Sequence, residues 1–165
     1  MNRKQLIIGC LLAFLLKPLI DAILPGTMGN GNLILCLTTV AAFLTDDYPF
    51  VVSIGALFTL LDDAVYGLYC GPKTLSLVVV CIAIIVAKFF FNHENIINAV
   101  GVLAVSAWLA LTVEWIVYYL IGTPYSYLYA LKSLPGNMVI NVLIGIVIYY
   151  VLLNRIKRNR TDRYY

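Results

Sequence analysis

Apolar residues fill six blocks of this chain, at 5–24, 33–44, 50–69, 74–91, 96–121 and 134–153. A helix that crosses a bilayer needs roughly 20 mostly apolar residues. The pattern therefore predicts an all-α, polytopic membrane helix bundle of six transmembrane helices, forming a single integral membrane domain over residues 1–165. The second block is short, so it either borrows residues 29–32 or lies where the bilayer is locally thin. Between the blocks come PGTMGNGN, TDDYP, GPK, NHEN and TPYSYLYALKS, all rich in turn-forming residues. No soluble domain, long linker, low-complexity tract or internal repeat is evident.

Composition agrees with a membrane location. The chain is 62% hydrophobic and only 12% charged, against about 25% charged in soluble proteins. Five of the eleven basic residues, Arg155, Lys157, Arg158, Arg160 and Arg163, follow Leu153. The net charge of +3 thus reads as membrane orientation, not nucleic-acid binding. Arg3 and Lys4 flank the other end, so both termini are expected in the cytoplasm, which requires an even number of spans. Lys73 and Lys132 would then lie outside, against the rule, but the tail outweighs them. Lys17 and Asp21 interrupt the first block and no cleavage site follows it, so it reads as a retained span. Cys10, Cys36, Cys70 and Cys81 show no C-x-x-C spacing, and three lie inside apolar runs, as packed thiols do. Many of the twelve tyrosines fall near expected interfaces, as an aromatic belt would. A partner-binding surface over residues 123–133 is the second reading of that loop.

Ionisable groups within spans carry the functional question, because a carboxylate in lipid needs a partner or a purpose. Gly55, Thr59, Asp63 and Gly67 recur at four-residue steps, one ridge drifting about 40° per step. Small residues on such a ridge admit a neighbouring helix. Ser106, Ala110 and Glu114 share a ridge of the fifth span, and Asn137, Asn141 and Gly145 one of the sixth. At about 1.5 Å per residue, Lys17, Asp21, Asp63, Glu114 and Asn141 all fall in the outer half of the hydrocarbon core. They could pair to hold the bundle together, or line a polar cavity open to the outside. Pairing is favoured, because nothing here specifies a substrate.

Lys17 and Asp21 form an i,i+4 pair in the weaker orientation, and Pro18 between them should kink the helix. The sharper expectation is a bridge from Lys17 to Asp63 or Glu114. Lys88 should merely snorkel. His93, the one histidine, lies in a connector on the side opposite the acids. No G-x-S-x-G, H-E-x-x-H or Walker-type loop occurs, so no catalytic residue, cofactor or metal site is expected.

The segment 55–71, GALFTLLDDAVYGLYCG, resembles the bacterial rod shape-determining protein MreD family. That family carries a glycine-rich span reading approximately G-x-x-x-G-L-x-x-D, with glycines four and eight residues past the acid. Gly55, Leu60, Asp63, Gly67 and Gly71 match in register, Thr59 replaces the second glycine and Asp62 is an extra acid. Leu134-Pro135, then Asn141 and a short basic tail, resemble the end of the family. The resemblance implies a non-enzymatic scaffold of the cell-elongation machinery in the bacterial plasma membrane. Its partners would be a single-span MreC-like protein, an actin-like MreB filament, a RodA-like glycosyltransferase and a transpeptidase. The family is similar in architecture to the substrate-binding subunits of energy-coupling-factor vitamin transporters. Such a subunit is the alternative expectation.

Overall fold

The computed structural model describes residues 3–23, 32–90, 95–123 and 126–161; the side chains of Asp21, Ile23 and residues 155–161 are outside that description. Six helices run through the described residues: α1 (Arg3–Ile23), α2 (Leu33–Leu44), α3 (Tyr48–Tyr66), α4 (Pro72–Lys88), α5 (Ile96–Ile121) and α6 (Tyr127–Thr161). Three stretches are long and apolar enough to cross a membrane: Tyr48–Tyr66, Ile96–Ile121 and Tyr127–Asn154. By length and composition this is a helical membrane protein.

The short helix is the centre of the bundle. α2 packs against all five other helices, and ten of its twelve residues are buried. It does not extend back over Asn32. Instead Asn32 caps it, with the side-chain oxygen accepting from Leu35 N at 3.0 Å, as an N-cap asparagine does. Twelve residues rise only about 18 Å, and a helix enclosed by others has no lipid thickness to match.

Glycine brings two of these contacts close. A Cβ on Gly55 would meet Thr38 Cγ2 of α2 at 2.4 Å, and one on Gly145 of α6 would meet both δ-carbons of Leu103 on α5 at 2.5 Å. Leu6, Cys10 and Ala13 form the narrow buried seam of α1, while Leu11, Leu12, Leu15 and Leu19 stay exposed. Such an apolar outer face suits lipid, not water.

Two boundaries that differ from the sequence pattern bear on the motif residues. The third helix ends at Tyr66, not residue 69, so Gly67 and Gly71 leave the ridge that Gly55, Thr59 and Asp63 share. Gly67 is extended (φ −87°, ψ 152°), and a Cβ there would lie 2.4 Å from Asp63 O. Gly71 is left-handed at φ 117°, where glycine is favoured. The last helix starts at Tyr127, so most of the expected 123–133 loop is helical and Pro135 is inside the helix, exposed. Tyr127 anchors this beginning: its hydroxyl is 3.1 Å from Thr112 Oγ1 and its ring packs on Trp115.

Ion pairs hold α1 at both ends. At one end Arg3 meets Asp47 at 3.0 Å and lies over the Phe50 ring. Beside it Lys88 reaches Asp46 at 2.8 Å and donates to Thr45 O. Lys88 therefore does more than snorkel; it neutralises the connector between α2 and α3 and covers the Tyr48 ring. The other end holds a larger cluster.

Candidate functional site

Asp62 and Asp63 are adjacent, and both are 2% exposed. Neighbours on a helix point about 100° apart, so the two carboxylates enter different interfaces. Asp62 turns to α1 and to the start of α4. Lys17 Nζ donates to both of its oxygens, and Lys73 Nζ reaches its Oδ2 at 3.1 Å. Lys17 also lies over the Tyr66 ring, 5.2 Å from its centroid. The bridge expected from Lys17 to Asp63 or Glu114 goes to Asp62 instead. The extra acid of the motif is the ionic centre of the site.

Asp63 turns to the N-terminus of α4. Its Oδ2 accepts from Gly71 N, Thr74 N and Thr74 Oγ1, each at 3.1 Å. The residue at the usual cap position, Gly71, has no side chain to supply. A carboxylate from the preceding helix takes its place and satisfies donors that helix geometry leaves without partners. Negative charge is also favoured there by the helix dipole. Pro72, first in α4, has no N–H to satisfy. Gly71 thus acts as the acceptor's partner through its backbone.

Glu114, from α5, closes the cluster on the far side. Ser76 Oγ stands 3.3 Å from its Oε1 and donates to Lys73 O at 2.8 Å. Neither Lys17 nor Lys73 comes within ion-pair distance of Glu114. Tyr118, one turn along α5, meets Tyr69 edge-on at 6.1 Å between ring centroids.

Asn141 belongs to a different contact. Its Oδ1 accepts from Asn32 N at 2.9 Å, and Cys36 Sγ approaches its carbonyl at 3.4 Å. These bonds tie α6 to the start of α2. The five residues expected in one cluster thus divide: Lys17 bonds to Asp62 and Glu114 to Ser76 beside Asp63, Asn141 stands apart, and the Asp21 side chain lies outside the described residues. His93 lies outside them too. Of the motif residues, Gly55 meets α2 while Leu60 is 46% exposed and faces away from the bundle. The sequence pattern gives Ser76 and Thr74 no place in the site and marks Lys73 only by its side of the membrane, although G-P-K-T after the acids carries the signal of a helix start.

Every charged or hydroxyl group of the cluster is engaged within the protein. Among the described residues no group of three or more histidine, cysteine or acidic side chains is arranged to hold a metal ion. Cys10, Cys36 and Cys81 are buried free thiols, and Cys70 is exposed. A cleft of about 340 Å³ between α4 and α5, lined by Val80, Ala87, Gly101 and Leu109 among others, is almost wholly apolar and separate from these acids. Comparison of the chain with protein-family models, curated proteins and solved structures finds no match.

Proposed function

We propose that this chain is a non-enzymatic membrane scaffold of the bacterial cell-elongation complex, with six spans and both termini in the cytoplasm. One observation carries the reading: the motif residues Asp63 and Gly71 bond to each other at 3.1 Å across the α3–α4 turn. An acid used to start a helix shapes a bundle, and the Asp63 carboxylate is taken up in that role. Lys17, Lys73 and Asp62 bond among themselves in the same way, which supports a role in rigidity.

A scaffold without a soluble domain associates through helix faces and short connectors. Partners of the kind the motif implies would be a single-span MreC-like protein, a cytoplasmic MreB-like filament and wall synthases such as a RodA-like glycosyltransferase with its transpeptidase. Basic residues after Leu153 would face anionic inner-leaflet lipid, each contributing about 1 kcal/mol.

Depletion of the protein in its host tests this reading. Rod-shaped cells should become round or swollen. A host that keeps its shape but requires an external vitamin would replace the scaffold with the substrate-binding subunit of an energy-coupling-factor transporter.

A further inference from the structure

The helices around α2 form an open ring. α3 meets α4, α4 meets α5 and α5 meets α6, while α1 joins at one end, through α3. Among the described residues α1 packs only against α2 and α3 and does not meet α6, so the ring has a gap between those two. Leu33 and Leu37, the residues of α2 that are only half-buried, lie four apart on one face. Leu37 borders α1, where a Cβ on Gly9 would stand 3.0 Å from its Cδ2.

Little apolar surface holds α1 in place. Its buried side chains are Leu6, Cys10 and Ala13, with Phe14 packed beside them. Between helices in a bilayer no hydrophobic force opposes separation, because lipid is as apolar as the neighbouring helix; close packing and polar ties carry the association. Two ion pairs tie α1 down, the exposed Arg3–Asp47 pair and the buried Lys17–Asp62 pair. An exposed pair adds little. Elements with few buried contacts are the ones that open first.

The buried pair is arranged so that both halves survive separation. Asp62 holds a second lysine, Lys73 of α4, at 3.1 Å. When Lys17 leaves, the carboxylate therefore keeps a partner and avoids the cost of an unpaired buried charge. Lys17 has an exit of its own. It lies about 21 Å along α1 from Arg3, roughly 9 Å short of the far edge of a hydrocarbon core about 30 Å thick. A lysine so placed extends its ammonium towards the headgroups.

We propose that α1 is a lateral gate: it swings away from α2 and α3 as a unit, on a fixed body of α2 to α6, while Asp62 passes from shared pairing to pairing with Lys73 alone. Opening widens the gap between α6 and α1 and lays the sides of α2 and α3 that α1 covers open to the bilayer. Lys73 is the residue that makes the movement reversible, because it holds the Asp62 carboxylate ready for the return of Lys17. The gate is independent of whether the chain serves the elongation complex.

Distances between nitroxide labels, measured by double electron–electron resonance on the full-length chain in lipid nanodiscs, test the gate. The four cysteines are first replaced by alanine. One label pair, Leu12→Cys with Val147→Cys, joins α1 to α6; a second, Leu57→Cys with Val147→Cys, joins α3 to α6, and all three positions are exposed. The α1–α6 pair should give two distances and the α3–α6 pair one. Lys17→Met removes the tie and should enlarge the open α1–α6 population at least twofold. Lys73→Met should shrink it at least twofold, because opening then strands Asp62. In both variants the α3–α6 distance should stay single, which shows the body still folded. A single α1–α6 distance in both the parent and Lys17→Met overturns the gate. So does an open population in Lys73→Met as large as that in Lys17→Met, or an α3–α6 distance that splits along with the α1–α6 one.

Discussion

Asp63 accepts the backbone N–H of Gly71 at 3.1 Å, eight residues further along the chain, so the carboxylate that ends α3 also starts α4. This clasp fixes the angle between two helices with no cap residue of α4's own. It also makes the left-handed Gly71 and the buried acid one unit.

Removing that clasp should be costly. Asp63→Leu strands Gly71 N and Thr74 N at a half-buried helix end, and we expect a loss of roughly 1–3 kcal/mol. Asp63→Asn keeps an acceptor oxygen and should lose less. Unfolding in lipid bicelles checks the order of the two variants.

Asp62→Leu should be at least as damaging, because it leaves both Lys17 and Lys73 without their carboxylate. Breaking a buried pair by removing one partner costs about 3–5 kcal/mol. Lys17→Met should be milder, since Lys73 still meets Asp62. Thermal unfolding of the single variants and of Lys17→Met with Lys73→Met checks the ranking.

Gly55→Ala and Gly145→Ala should differ although the nearest contacts are similar, 2.4 Å and 2.5 Å. Thr38 is β-branched and stiff, and its hydroxyl is held by Ile34 O at 2.7 Å, so its methyl cannot swing from a new Cβ. Leu103 can turn its terminal carbons. We expect about 1–3 kcal/mol for Gly55→Ala and less for Gly145→Ala. Thr38→Ser should restore part of the Gly55→Ala loss, with a coupling of roughly 1 kcal/mol in a double-mutant cycle.

Cys70 reports topology. It is exposed beside the Lys17 end, whereas Cys10, Cys36 and Cys81 are buried. With both termini inside, a membrane-impermeant maleimide added to intact cells should label Cys70 alone, and Cys70→Ser should abolish labelling. Labelling that appears only after the cells are broken would place the α3–α4 turn in the cytoplasm.

The approximate positions of the helices were legible in the sequence, because several apolar blocks are bounded by residues with their own local physics. Asn32 and Asn95 cap helices, Pro72 begins one, and the left-handed Gly122 ends one at φ 91°. The presence of buried charge was legible too, since Lys17, Asp62, Asp63 and Glu114 interrupt apolar runs. Their partners were not. A four-residue ridge selects Asp63 over Asp62, but adjacent residues diverge by about 100°, and only the packing of α1 against α3 sends Lys17 to Asp62. Tertiary structure likewise decided that Asn141 bonds to Asn32, 109 residues away, and that Pro135 continues a helix that begins at Tyr127. Local sequence sets where a helix can start and stop; which of its faces meets which neighbour depends on the whole bundle.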